Sequence, residues 1–339
     1  MSLTKKLNLY KLNNLNKAII KVLQKLNLYK TYVVPNEIKQ FFFKISDKEE
    51  ELINNLVYNY CHKDKYSSER VREGDMNAIS FGRLNKFRNN HIPFLIEKIG
   101  LKGKKILEIG SGSGASSVAL SEQGGIVTGI DVDEKAINFA KKRSSIYGQD
   151  IEFLALNAVN IDKLHQEKWD IIIYFASLEH MTPSERKTSL SKAYSLLSKG
   201  GHLCVFGTPN RLWPMDIHTS FLPFYMWLQD EIALDYSKFS PRKEFKNEIY
   251  ENKTNDYKLL YRWGRGVSFH EFHSAIGRIS KIKVVGSLPI FLRRHSFIQK
   301  ISYKNSLEFK YKNAIKQFGP KGVHPGFYEC YLDLIIEKQ

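Results

Sequence analysis

From Lys104 onward, short apolar runs alternate with amphipathic segments. Each run holds five to seven residues, which is a typical strand length, and the segments between them have helical periodicity. The predicted strands are Lys105–Ile109, Ile126–Asp131, Ile151–Ala155, Trp169–Phe175 and His202–Gly207, and the predicted helices are Ala115–Gln123, Glu134–Tyr147 and Ser184–Ser198. Because strands joined by helices run in the same direction, this pattern predicts a parallel sheet with helices on both faces.

The residues before this alternation are predicted to be helical. Between residues 12 and 26 the apolar side chains fall on one helical face, and the lysines lie largely off it. Ser46 and Glu49 have the spacing of a capping box, which predicts a helix through about Tyr60. A further helix is predicted from Met76 to Ile99.

The residues after the alternation divide into two parts. Residues 211–266 carry prolines, aromatic residues and mixed charge, and they predict an insertion over the sheet edge. Beyond them, Ser268 and Glu271 form a capping box for a helix to about Ile279. Two more strands, Lys283–Ser287 and Tyr328–Ile336, then complete the sheet.

The predicted fold class is therefore α/β, with a Rossmann-like, seven-stranded, mostly parallel sheet. Its parts are a helical N-terminal extension (1–100), a core (101–210), a substrate-side insertion (211–266) and a C-terminal part that completes the sheet (267–339).

The net charge of +17 is concentrated outside the core. Residues 1–30 hold seven lysines and no acid, and residues 238–321 hold nineteen basic and six acidic residues, whereas residues 101–210 are nearly neutral. Such a field favours an anionic partner, namely a phosphate, a nucleic acid or an acidic membrane surface. Lysines that are simply solvated explain the same charge.

The three cysteines are widely spaced and form no metal-binding pattern, which is typical of a reducing cytoplasm. We expect neither a signal peptide nor a transmembrane helix, because no apolar run reaches about 20 residues. The basic amphipathic helix of residues 1–30 has two interpretations: it packs on the core, or it makes a peripheral contact at the inner membrane surface.

A glycine-rich loop is the main indication of a ligand-binding site. The run Leu107-Glu108-Ile109-Gly110-Ser111-Gly112-Ser113-Gly114-Ala115 follows a strand and opens a helix. Such a loop lets a ligand approach the backbone and the free N–H groups of the helix. A carboxylate at Glu108 would repel a pyrophosphate but suit a cationic cofactor, which favours S-adenosylmethionine over a nicotinamide dinucleotide. Asp131 ends the second strand and is placed to accept hydrogen bonds from ribose hydroxyls.

At residues 103–210 the sequence resembles the class I S-adenosylmethionine-dependent methyltransferases. The resemblance implies that the loop cradles the methionine part of the cofactor, that Asp131 binds the ribose, and that Val132 packs on the adenine. An Asn157-Ala158 pair stands where the family often has an acidic and a small residue. The implied cofactor-binding residues are Glu108, Gly110, Ser111, Gly112, Gly114, Asp131, Val132, Asn157, Ala158 and Phe175.

The segment after the fourth strand, Phe175-Ala176-Ser177-Leu178-Glu179-His180-Met181, resembles that of small-molecule O-methyltransferases, including those of ubiquinone biosynthesis. Some of that group bind a divalent cation through a longer acidic set. Ala176 stands where the extra acid is expected, so we expect no metal. The turn Lys199-Gly200-Gly201 also matches the family.

Two acceptor classes are excluded by missing motifs. The sequence lacks the Asn/Asp-Pro-Pro-aromatic motif of nucleobase N-methylation, and it lacks a cysteine nucleophile near that position. A hydroxyl acceptor needs alignment and a base, for which histidine is suitable. The candidate catalytic residues are His180 and His218, with Glu179 and Asp216 beside them in the sequence.

The stretch from Thr208 to Thr219 resembles the TPNR…D-x-HT segment of methyltransferases encoded with surface-polysaccharide genes. It contains a candidate Asp216–His218 pair, and it contains Asn210 and Arg211 as candidate substrate-binding residues. The apolar run Phe221–Leu228 is either the core of a lid or a contact for a lipid chain. Further arginines that could complete a phosphate-binding rim are Arg262, Arg265, Arg293 and Arg294.

The sequence therefore predicts a methyltransferase that acts on a hydroxyl of a sugar, glycan or glycolipid-type metabolite, with a small-molecule or lipid-linked anionic acceptor. Two alternatives stay open. The first is RNA methylation, which the charge and the lysine–aromatic tract of residues 300–316 favour. The second is a non-catalytic, membrane-associated protein that kept the fold.

Overall fold

A computed structural model describes residues 47–61, 69–164, 168–251, 256–294 and 306–339. The predicted basic helix of residues 1–30 lies outside these ranges, as do Ser46 of the first predicted capping box and residues 300–305 of the lysine–aromatic tract of residues 300–316.

Seven strands form one sheet with the order β3-β2-β1-β4-β5-β7-β6. Strands β1 to β5 pair in parallel, and β7 runs antiparallel to both β5 and β6. The strands are β1 Lys105–Ile109, β2 Ile126–Asp131, β3 Glu152–Ala155, β4 Trp169–Phe175, β5 Leu197–Pro209, β6 Lys283–Ser287 and β7 Tyr331–Glu337. This arrangement confirms the predicted mostly parallel, seven-stranded sheet.

Helices cover the sheet and precede it. In chain order they are α1 Asp47–Tyr60, α2 Glu69–Asn77, α3 Arg83–Lys86, α4 Ile92–Ile99, α5 Ala115–Ser121, α6 Glu134–Ile146, α7 Pro183–Leu196, α8 Asp230–Tyr236, α9 Lys243–Lys246, α10 Tyr257–Trp263, α11 Phe269–Ile276, α12 Leu288–Arg294 and α13 Leu307–Phe318. None of these described helices combines the length and apolar character needed to cross a bilayer.

Side-chain alternation along the strands builds two cores, one on each face of the sheet. In β4, Ile171 and Ile173 belong to one apolar cluster, whereas Ile172 and Tyr174 belong to the other. All four side chains are almost completely buried. A parallel strand that is buried on both faces shows this continuous apolar sequence.

Several boundaries differ from the sequence prediction. Strand β5 runs from Leu197 to Pro209 and is longer at both ends than the predicted His202–Gly207. The helix predicted from Met76 is interrupted by π-helical turns at Ala78–Gly82 and Phe87–His91, so that α2, α3 and α4 form one continuous helical path. Strand β7 begins at Tyr331 because Pro325–Tyr328 forms a 3-10 turn. The capping box of Ser268 and Glu271 is present as predicted.

The insertion has an apolar cluster of its own, built around Leu222, Tyr225, Met226, Phe245 and Leu260. The apolar run from residue 221 to 228 therefore divides between two environments. Three of its side chains are buried, and three others, Phe221, Phe224 and Trp227, are between 42 and 51% exposed.

Candidate active site

A cavity of about 1010 Å³ lies at the carboxyl edge of the parallel strands. The glycine loop after β1 and the end of β2 line one part of it, and the segments after β4 and β5 line another. The helical path through α3, together with α12 and β7, forms the remaining walls. Open α/β sheets bind ligands at this edge, so the cavity is the candidate active site.

The glycine loop is shaped for close approach. Gly110 has φ +79°, and a Cβ at this position would lie 2.4 Å from the Cβ of Ser177, so only glycine fits between β1 and β4. Gly112 has φ +49°, and a Cβ there would meet no atom within 4 Å. Ser111 lines the cavity between them, and its buried hydroxyl has no hydrogen-bond partner within the described residues.

Five further predicted cofactor residues line the same cavity, namely Asp131, Val132, Asn157, Ala158 and Phe175. The Asp131 carboxylate accepts hydrogen bonds from the N–H groups of Gly112 (2.9 Å) and Asp133 (3.0 Å), which ties the glycine loop to the end of β2. The side chain of Val132 is 68% exposed, which makes it available to a flat ligand.

Glu108 and Gly114 do not line the cavity. The carboxylate of Glu108 is fully buried and accepts hydrogen bonds from the hydroxyls of Ser116 and Ser117 at the start of α5. Its pKa is raised to about 7 by burial. The prediction that Glu108 faces the cofactor is thus wrong in this structure, because the serines of the next helix turn the carboxylate away. Gly114 instead permits the close packing of α5 on Ala140.

His180 and His218 lie side by side on the cavity wall, with ring centroids 5.8 Å apart. The Nδ1 of His180 lies 2.9 Å from the carbonyl oxygen of Arg262, which assigns that nitrogen as the donor. The Thr219 hydroxyl donates its hydrogen to the carbonyl of Gly264, so it accepts a hydrogen bond from the Nδ1 of His218, which lies 3.0 Å away. Both rings therefore keep an Nε2 lone pair.

The carboxylate beside His218 belongs to Glu179. Its Oε1 lies 3.8 Å from the His218 Nε2 and has no hydrogen-bond partner within the described residues, while Oε2 accepts from the Thr208 hydroxyl at 3.2 Å. Burial raises the pKa of Glu179 to about 7. Burial also lowers the pKa of His180 to about 4 and lowers that of His218. Both imidazoles are therefore neutral near pH 7.

Asp216 does not pair with the His218 ring, so that predicted pair is wrong. Its buried carboxylate accepts hydrogen bonds from the N–H groups of His218, Thr219 and Ser220 and from the Ser220 hydroxyl. These four bonds close the turn that follows Asp216. Asp216 thus holds the backbone that carries His218, and Glu179 takes the place beside the ring.

Glu179, His180 and His218, which we call the histidine cluster, each offer one ligand atom, and these atoms lie within 4.8 Å of one another. Imidazole and carboxylate groups in such a set suit a divalent transition metal ion. The expectation of a metal-free site, which rests on Ala176, is not tested by this geometry and stays a prediction.

The candidate substrate residues Asn210 and Arg211 lie outside the cavity. The Asn210 amide donates to the carbonyls of Phe327 and Glu329 and fixes the chain as it leaves β5. Arg211 lines a separate groove that also includes Trp227. Asn210 therefore has a structural contact in place of the predicted acceptor contact.

The arginines of the predicted rim have partners within the protein. Arg262 lines the cavity, where it forms a two-pronged pair with Glu185. Arg265 donates to carbonyl oxygens within the insertion. Arg293 pairs with the buried Glu329. The side chain of Arg294 lies outside the described part of the chain.

Several cavity residues were missed by the sequence prediction. Arg83, Lys86, Asn90 and His91 come from the helical path before β1, and Asp333 comes from β7. The spacing of the first four, on successive turns of one helix, was visible in the sequence. No local signal connects them with the glycine loop, because the fold alone brings these segments together.

Comparison with known proteins finds a family match in the middle of the chain. Residues 106–201 match the family model described as a methyltransferase domain. This range contains the glycine loop, Asp131 and the histidine that follows β4, and it lies in a sheet with a single reversed strand, β7. Residues 106–201 are therefore similar to a methyltransferase domain. The resemblance predicted from the motifs is thereby confirmed at the level of the domain.

The similar curated proteins are named as ubiquinone biosynthesis O-methyltransferases. That of Coxiella burnetii (strain Dugway 5J108-111) is 31% identical over 156 residues, which are 44% of this chain and 62% of that protein. That of Pseudomonas entomophila (strain L48) is 30% identical over 128 residues, 38% of this chain and 53% of that protein. The chain thus matches between half and two thirds of the length of these curated relatives.

A solved structure of a SAM-dependent methyltransferase from Methanosarcina mazei is 28% identical, with a TM-score of 0.31, and the match covers 33% of this chain and 56% of that one. The magnesium protoporphyrin IX methyltransferase of Synechocystis PCC 6803, solved with bound SAM, is 19% identical with a TM-score of 0.35, over 50% of this chain and 80% of that one.

Proposed function

We propose that this chain is an S-adenosylmethionine-dependent methyltransferase that transfers a methyl group to a hydroxyl oxygen. One observation carries the proposal: a single cavity joins the glycine loop and Asp131 to a pair of neutral imidazoles. The first part has the groups that hold a methionine and a ribose, and the second has the bases that a hydroxyl acceptor needs. The printed names of the curated relatives, which are O-methyltransferases, support the same reaction type.

The cavity residues fit the cofactor. The open space above Gly112 admits a ligand against the backbone, and the unpartnered Ser111 hydroxyl is available to it. Asp131 would hold the ribose hydroxyls, while Val132 and Ala158 would contact the adenine. When bound, the cofactor supplies an electrophilic methyl carbon. The chain then has to align the acceptor oxygen and take its proton.

We assign His218 as the base that takes the proton of the acceptor hydroxyl. Its Nε2 is free and lies beside the Glu179 carboxyl, whose negative charge stabilises an imidazolium. The pKa of His180, lowered to about 4 by burial, makes it a much weaker base at neutral pH. His180 then orients the acceptor through its own free Nε2. Glu179 does not line the cavity and acts through His218.

The finer proposal concerns the acceptor. Arg83 and Lys86 are exposed at the cavity wall and favour an acceptor with an acidic group outside the reacting centre. The part of the acceptor that reacts faces imidazole and carboxyl groups, which form hydrogen bonds with hydroxyls. A sugar, glycan or glycolipid-type metabolite with an acidic group has both features.

The test is the transfer of label from methyl-labelled S-adenosylmethionine to an extract of the source cells, followed by partition between organic and aqueous phases. We expect labelled product with the wild-type chain and a loss of about 100-fold or more with His218→Gln, since a positioned base contributes about 10²–10⁴-fold. His270→Gln, which changes an exposed histidine outside the cavity, serves as the matched control.

Label in the organic phase would indicate a lipid-linked acceptor, and label in the aqueous phase would indicate a soluble one. Label in ribonuclease-sensitive precipitate would favour RNA methylation and overturn the proposal. So would full activity of the His218→Gln variant, which would remove the base from the mechanism.

A further inference from the structure

Asp333 is a carboxylate inside the apolar run of β7. Its neighbours in β7, Leu332 and Leu334, are fully buried, and Ile335 and Ile336 continue the apolar run. Asp333 itself lines the active-site cavity. Because removing a carboxylate from water costs free energy unless it is hydrogen-bonded, such a residue in a core strand calls for a role.

An irregularity in the neighbouring strand β5 sets the orientation of the Asp333 carboxylate. The pairing of β5 with β7 shifts register between Val205 and Thr208. At that shift Gly207 has φ +67°, and its N–H donates to Asp333 Oδ1 at 2.7 Å. A bulge of this kind re-aims groups beside active sites. Within the described residues, the second carboxyl oxygen, Oδ2, has no hydrogen-bond partner.

Asp333 and Glu179 are hydrogen-bonded to consecutive residues of β5, since Asp333 accepts from the Gly207 N–H and Glu179 accepts from the Thr208 hydroxyl. Burial raises the pKa of Asp333 to about 6, and the charge of Lys86 opposes that rise. The negative charge of Asp333 in turn adds to the effect of burial on the pKa of Glu179. Asp333 is therefore mostly ionised at neutral pH, and its carboxylate lines the cavity that Glu179 adjoins through His218.

We propose that Asp333 binds the acceptor through Oδ2, which accepts a hydrogen bond from a hydroxyl adjacent to the one that is methylated. The acceptor is then a 1,2-diol, in which His218 faces one oxygen and Asp333 holds its neighbour. An ammonium group would also suit a carboxylate, but Arg83 and Lys86 on the same cavity wall disfavour a cation. This inference rests on the proposed O-methyl transfer. Sugars and catechols share the 1,2-diol.

The test compares Asp333→Asn with the wild type. Asparagine keeps an oxygen for the Gly207 N–H but removes the charge that binds the hydroxyl. We expect the labelling rate at limiting acceptor to fall about 10–100-fold, because a hydrogen bond to a charged group is lost. The affinity for S-adenosylhomocysteine should stay within about twofold. Glu337→Gln is the matched control, since this acid lies on the same strand but pairs with Lys283 at the surface.

A second measurement tests the diol itself. The cell extract is treated with periodate, which cleaves sugar 1,2-diols and oxidises catechols, and the reagent is quenched before the labelled cofactor is added. We expect labelling to be lost, and the ultraviolet spectrum of the product from untreated extract distinguishes a catechol from a sugar.

Each of four outcomes would overturn one of these claims. Labelling that survives periodate refutes the diol, and an undiminished rate in Asp333→Asn refutes the contact. Weaker S-adenosylhomocysteine binding in that variant would make Asp333 a structural residue. A wild-type chain that binds S-adenosylhomocysteine but labels nothing refutes the proposed function itself, whatever Asp333 does.

Discussion

Replacing Glu179 by glutamine should lower methyl transfer without affecting cofactor binding. Two unit charges 3.8 Å apart, the separation of Glu179 Oε1 and His218 Nε2, attract by about 4 kcal/mol at an effective dielectric constant of about 20. The His218 side chain is one quarter exposed, so we take about half of this value as the stabilisation of the imidazolium. A loss of about 2 kcal/mol corresponds to about a 30-fold lower kcat.

The pH profile provides the sharper assay. Since burial raises the pKa of Glu179 to about 7, its carboxylate forms as the pH rises through that value, and the wild-type rate should rise with it. The glutamine variant cannot ionise and should lose this rise. Thr208→Val removes the hydroxyl that donates to Glu179 Oε2, which stabilises the ionised form, so its rise should move to higher pH.

The assay is the initial rate of label transfer between pH 5.5 and about 8.5, with the acceptor fraction identified by the labelling experiment, together with S-adenosylhomocysteine affinity at each pH. Glu337→Gln should follow the wild type. The reasoning would be refuted if Glu179→Gln kept its kcat within about threefold and still showed the rise near pH 7.

Three further predictions concern the surrounding structure. Asp216→Ala removes four hydrogen bonds from the turn that carries His218, so urea unfolding should show a loss of about 3 kcal/mol or more, and an unchanged stability would contradict this role. Gly110→Ala brings a Cβ to 2.4 Å from that of Ser177 and should weaken S-adenosylmethionine binding at least about tenfold. The control is Gly148→Ala, because Gly148 also has a positive φ (+61°) but no close neighbour, and this variant should bind as the wild type does. Equal affinities of the two variants would exclude the steric explanation. Treatment with EDTA should leave methyl transfer unchanged, and a loss that Mg²⁺ or Zn²⁺ restores would instead make the histidine cluster a metal centre.

Local signals account for the parts of the molecule that the sequence predicted well. The bounds of β1, β2, β4 and β6 match the predicted strands, because the residues that indicate each strand are contiguous in the sequence. The glycine loop is contiguous too, and Asp131 ends the strand beside it. A site built at the ends of adjacent parallel strands follows directly from that topology.

The errors concern the direction in which side chains point. Glu108 stands at the predicted position, but the hydroxyls of Ser116 and Ser117 hold its carboxylate away from the cavity. Asp216 is next but one to His218 in the chain, yet it bonds to the backbone, and Glu179, from a different loop, takes the place beside the ring. Hydrogen bonds between distant segments decide such orientations, and no pattern in the sequence records them.

The direct test of the proposed site is a calorimetric titration of S-adenosylmethionine into the wild-type chain and into Asp131→Ala. Asp150→Ala, which changes an exposed acid after α6, is the control. We predict one binding site in the wild type, unchanged affinity in the control, and at least about tenfold weaker binding in Asp131→Ala, which loses both the ribose contact and the tie to Gly112. Absent binding in the wild type, or equal affinity in all three proteins, would contradict the assignment of this cavity.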